Sequence, residues 1–140
     1  MSMEIYAFSD RRLDSMAAWQ AAINAEEFDL VLDQQRPFEQ LRGYLPAHRG
    51  ERLAGFECDH FDPSEIIEDS PDIDFGRRWA HVLAFRFGGD FFELWGAYAA
   101  AAAYARATGG IVFDGESGDI LTPEAAVSMA RDLERHLTEA

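Results

Sequence analysis

Cys58 and His60 stand two residues apart, the arrangement of a thiol nucleophile beside a general base. On an extended chain both side chains would project to the same side. Asp59 and Asp62 flank the pair, and neighbouring carboxylates raise the pKa of a thiol rather than lower it. No oxyanion-hole glycine motif adjoins the cysteine. We therefore expect a small buried cysteine beside a histidine, and no catalytic residue.

The same four side chains could instead bind a metal ion. Structural zinc sites usually combine two paired ligand groups, whereas Cys58 is the only cysteine in the chain. Residues 72–76 begin like a calcium loop, with Asp72 and Asp74 alternating, but no third side-chain ligand and no closing glutamate follow. We expect neither a metal nor any other cofactor.

Sequence motifs of the common enzyme classes are missing from the chain. Gly-x-Ser-x-Gly, Gly-x-Gly-x-x-Gly, His-Glu-x-x-His and paired Cys-x-x-Cys do not occur. All 12 Lys+Arg residues are arginine, which excludes lysine Schiff-base chemistry and P-loop phosphate binding. The sequence therefore favours a non-enzymatic function.

Acidic residues are concentrated in residues 57–74, which we call the acidic segment. It contains no Arg or Lys, and its eight carboxylates are Glu57, Asp59, Asp62, Glu65, Glu68, Asp69, Asp72 and Asp74. The whole chain has 26 acidic and 12 basic residues, so this segment carries more than half of the net charge of −14. Such a balance argues against a nucleic-acid surface, which needs clustered cations, and favours cationic partners.

Hydrophobic periodicity predicts one α+β domain over residues 1–140, with a mainly antiparallel sheet of five or six short strands and three substantial helices packed on it. The clearest helix runs from Phe91 to about Thr108, opened by Asp90 and stopped by the glycines that follow. Strands over residues 52–58 and 79–87 bracket the acidic segment. Residues 62–65 open like a helix, with an acidic cap followed by proline.

The acidic segment has the features of an ordered contact surface. Apolar residues are interleaved among its carboxylates, and Pro63 and Pro71 stiffen it, which lowers the entropy lost on binding. Acids accelerate encounter with a basic protein, and apolar anchors hold the complex. We predict partner contacts at Asp59, Asp62, Glu65, Glu68, Asp69, Asp72 and Phe61. The expected protein is an acidic interaction module of the inhibitor or immunity type, which blocks a cationic enzyme such as a nuclease.

Two other functions are compatible with the sequence. One is a ligand-binding or enzymatic domain, with Arg86, His81 or Trp95 facing a pocket beside the alanine-rich helix. The other is a dimeric structural module that uses a sheet edge or helix face. The single cysteine and the absence of signal-peptide or membrane-spanning patterns lead us to expect a cytoplasmic protein without membrane contact.

Overall fold

The structure, a computed structural model, describes residues 2–139. Its helices are α1 (Met16–Ala25), α2 (Pro63–Asp69), α3 (Phe91–Thr108) and α4 (Pro123–Glu139), with a 3-10 turn at Phe38–Gln40. Its strands are β1 (Met3–Ser9), β2 (Val31–Leu32), β3 (Tyr44–Leu45), β4 (Ala47–Arg49), β5 (Arg52–Leu53), β6 (Phe56–Phe61), β7 (His81–Phe87), β8 (Ile111–Asp114) and β9 (Ile120–Leu121).

The predicted α+β class and antiparallel pairing are confirmed, but the strands form two sheets rather than one. A six-stranded sheet has the order β3-β6-β7-β1-β8-β9, and β2-β4-β5 form a small second sheet. The strand expected over residues 52–58 is therefore wrong, because it divides between the sheets at Ala54 and Gly55. The backbone there passes close to α3: a Cβ at Gly96 would lie 2.2 Å from the Ala54 carbonyl oxygen.

Helix α3 covers the face of the large sheet that we call the inner face. Ile5, Ala7, Leu83 and Phe85 point into this layer, and every residue from 95 to 105 is buried. The prediction of three helices on the sheet is only partly right, since α1 and α4 pack chiefly against α3. Alanines on every side of α3 allow both helices to approach it closely, and the Trp19 indole N–H donates to the Ala100 carbonyl at 3.0 Å.

The opposite, outer face of the sheet carries a second and smaller hydrophobic cluster. Phe8, Val82 and Phe113 of the sheet pack there against Phe75, whose ring centroid lies 5.0 Å from those of both Phe8 and Phe113. Helix α2, which begins at Pro63 after the Asp62 cap as the sequence predicts, is shorter than the other three helices and adds partly buried isoleucines to this cluster. Within residues 2–139, no helix is both long and apolar enough to cross a membrane.

Candidate partner-binding surface

The acidic segment begins inside the sheet and then leaves it. Glu57 and Asp59 lie on β6 and are half-buried, whereas the other six carboxylates are exposed on α2, its cap and the turn that follows. Asp62 caps α2 by accepting hydrogen bonds from the backbone N–H and hydroxyl of Ser64, and these bonds lower its pKa. The exposed carboxylates are thus held on a defined backbone.

Hydrophobic contacts fix this backbone to the outer face. Ile66 and Ile67 of α2, together with Ile73, pack against the second cluster around buried Phe75. The Trp79 indole N–H also donates to the Phe75 carbonyl at 3.0 Å, which stabilises the turn between α2 and β7. The prediction that apolar residues pin the segment agrees with these contacts.

The carboxylates of the segment lack close salt bridges within the part of the chain that the structure describes. Among the residues that the structure describes, no ion pair includes any of the eight. Several arginines pair elsewhere: Glu26, for example, accepts from both Arg106 and Arg131, at 3.3 and 3.2 Å. The negative potential over α2 is therefore not compensated by an ion pair among these residues.

The predicted contact residues differ in their freedom to bind. Asp59 accepts a hydrogen bond from the Gly43 backbone N–H at 2.9 Å, so this half-buried carboxylate has a structural role in joining β6 to the approach to β3. Phe61 is 40% exposed at the end of β6. The exposed carboxylates without a described side-chain hydrogen bond include Glu65, Glu68, Asp69 and Asp72.

A groove runs between α2 and the uncovered part of the outer face. The antiparallel register places Tyr6, Ala84 and Asp59 side by side on β1, β7 and β6. Ala84 has only a Cβ, so it forms a low floor between two longer side chains. Glu65 and Asp69, one helical turn apart on α2, line one wall of a cavity of about 180 Å³.

The opposite wall of the groove is an ion pair between adjacent strands. Glu4 lies directly across from Arg86, and the Arg86 Nε donates to Glu4 at 3.2 Å. The Tyr6 hydroxyl donates to the other oxygen of Glu4. Burial, then the bond to Glu4 and its charge, raise the pKa of Tyr6, and Asp69 adds to the effect. Tyr6 is therefore a neutral hydrogen-bond donor at physiological pH.

Cys58 and His60 share the inner side of β6, as their spacing predicts, but they do not form a reactive pair. Cys58 is fully buried, and this burial together with the charge of Asp59 raises the pKa of its thiol. His60 Nε2 lies 2.8 Å from the Phe38 carbonyl, to which its N–H donates, and its ring meets Phe38 edge-on. Across residues 2–139, no three His, Cys, Asp or Glu side chains are arranged to hold a metal ion.

The residues proposed for a pocket beside α3 are not brought together. Trp95 is fully buried, with the Arg49 guanidinium of β4 5.7 Å from its ring centroid, whereas Arg86 projects from the outer face of β7. His81 is half-buried at the far end of the same strand. The edges of the large sheet, β3 and β9, have two residues each and offer little backbone for strand pairing with a second copy.

Sequence reasoning missed Glu4, Tyr6 and Ala84, which help to form the groove. The alternation of Glu4 and Tyr6 with Ile5 and Ala7 indicates a second face of β1, but only the strand order places β7, with Ala84, between that strand and β6. Compared with protein-family models, curated proteins and solved structures, the chain matches none. The geometry and charge of this surface are therefore the observations that bear on function.

Proposed function

We propose that the protein is a non-enzymatic module that binds a basic protein through the exposed surface of the acidic segment. The observation that supports it is a set of six exposed carboxylates, held on a scaffold packed against the sheet and without an ion-pair partner among the described residues. In this proposal the partner is a cationic enzyme such as a nuclease, and the protein is its inhibitor or immunity protein in the cytoplasm.

The arrangement suits binding for kinetic and thermodynamic reasons. Clustered surface charge of one sign steers a partner of opposite sign and raises the association rate. Because α2 and the following turn are already packed on the sheet, less conformational entropy is lost on binding than with a free acidic loop. The exposed Phe61 ring at the edge of this surface supplies an apolar contact that slows dissociation.

A charge-matched pair of variants tests the proposal. The first carries Glu65→Gln, Glu68→Gln, Asp69→Asn and Asp72→Asn, which removes four negative charges and keeps both the Asp62 cap and the Asp59 hydrogen bond. The control removes four exposed charges elsewhere, through Asp14→Asn, Glu39→Gln, Glu51→Gln and Glu116→Gln. Wild type and both variants are immobilised and exposed to lysate from the source cells, and retained proteins are identified by mass spectrometry.

We expect wild type and control to retain the same basic protein, released by salt, and the acidic-segment variant to lose it. Circular dichroism and thermal melting check that all three proteins fold alike. Equal retention of this protein by both variants would refute the proposal, and so would a specifically retained partner of acidic character.

A further inference from the structure

We infer that the groove between α2 and the outer face receives a single arginine side chain of the partner, with its guanidinium between the α2 carboxylates and the sheet. This inference rests on the proposed function, since it names the chemistry by which the same surface recognises its partner. It assigns the groove to one cationic side chain rather than to a small-molecule cofactor.

The size of the groove supports a side chain as its occupant. Its volume is about 180 Å³. Pockets for drug-sized ligands typically hold about 300–1,000 Å³, which is more than this groove offers. An adjoining cavity of about 440 Å³ shares Asp59, Phe61 and Arg86 with the groove but is not lined by the carboxylates of α2. The floor at Ala84 is low because its cross-strand neighbours, Tyr6 and Asp59, are both longer.

The charge in the groove is complementary to a cation. Four carboxylates line it, from Glu4, Asp59, Glu65 and Asp69, against one guanidinium, that of Arg86. Arg86 is already bonded to Glu4, so the carboxylates of α2 are the ones left for an incoming positive charge. None of the α2 carboxylates has an ion-pair partner among the described residues.

The groove favours a guanidinium over an ammonium because of its aromatic walls. Tyr6 and Phe61 both line it, and a planar guanidinium stacks on aromatic faces while it donates two parallel hydrogen bonds to a carboxylate. Glu65 and Asp69 stand one turn apart on α2, so both project from the side of the helix that borders the groove. A lysine ammonium would use the charge but gain less from the rings.

The test titrates the whole protein with capped Gly-Arg-Gly at low ionic strength, followed by amide chemical shifts. Capped Gly-Lys-Gly and capped Gly-citrulline-Gly, the neutral isostere of the arginine peptide, serve as comparisons. The variant Ala84→Leu fills the floor without a change of charge, and its melting temperature and spectrum check its fold. The same variant is then measured against the basic protein found by capture.

We expect saturable shifts at Tyr6, Ala84 and Arg86 with the arginine peptide, at least about fivefold weaker binding of the lysine peptide, and none of the citrulline peptide. Ala84→Leu should abolish the response and weaken the captured partner about tenfold or more. No saturable shift in wild type, or equal binding of lysine or citrulline, would overturn the inference. So would full partner binding by Ala84→Leu, and that result would leave the proposed acidic surface standing.

Discussion

Replacing Phe75 with alanine should release the acidic segment from the sheet. Phe75 is 6% exposed, and its ring centroid lies 5.0 Å from the ring centroids of Phe8 and Phe113. Burial of a phenylalanine contributes about 1.5–3 kcal/mol, and each aromatic pair adds about 0.5–1.5 kcal/mol. Because a surface segment can partly collapse into the space left behind, we expect a loss near the lower end of the usual range, about 3 kcal/mol.

Urea unfolding measures this loss, and amide hydrogen exchange locates it. We expect residues 63–80 to exchange faster in the variant, with a smaller change in β7 and α3. Phe91→Ala is the control, since Phe91 is 40% exposed and its removal should cost less than about 1 kcal/mol. A loss below about 1 kcal/mol for Phe75→Ala, or unchanged exchange over residues 63–80, would refute the view that the second cluster orders the acidic segment.

Three further predictions concern the inner layer. Gly96→Ala should destabilise the protein by about 1–3 kcal/mol in urea unfolding, because the added Cβ would lie 2.2 Å from the Ala54 carbonyl oxygen. Alanine favours helices more than glycine does, so a neutral or stabilising effect would contradict this close contact. Cys58, buried and with a raised pKa, should react with a thiol reagent more than about a hundredfold slower in the native than in the unfolded protein; comparable rates would show an open site. Burial lowers the pKa of His60, so the unfolded state binds more protons than the folded state just below pH 6.5, and the free energy of unfolding should fall as the pH drops through that range. His60→Gln should flatten this pH dependence, and an unchanged dependence would exclude His60 as its source.

Local signals in the sequence were sufficient to predict where the helices lie. Met16, Trp19 and Ile23 recur at i, i+3 and i+7, a spacing that predicts one apolar stripe, and all three are buried on α1, which Ser15 caps. Helix α3 has the predicted bounds and ends at Gly109, whose φ of 72° is the left-handed conformation that glycine adopts readily. Capping and periodicity depend on neighbours within a few residues, so the sequence carries them directly.

The sheets and the groove depend on non-local contacts, which the sequence does not predict directly. The run over residues 52–58 reads like one strand, but it divides between two sheets at Ala54, where α3 approaches closely through Gly96. The groove likewise depends on the register of β1 against β7, which places Tyr6 beside Ala84. The acidic segment could be recognised from composition alone, but the wall that Glu4 and Arg86 form opposite α2 could not.

The most direct test of the proposed function is the association rate constant of the purified partner at two salt concentrations. At about 0.1 M ionic strength the Debye length is about 10 Å, so only charges near the contact surface accelerate the encounter strongly. We expect the variant that neutralises Glu65, Glu68, Asp69 and Asp72 to associate about tenfold more slowly at low salt and with a weaker salt dependence, while the charge-matched control stays close to wild type. Equal rates and equal salt dependence for the two variants would contradict binding through the acidic segment.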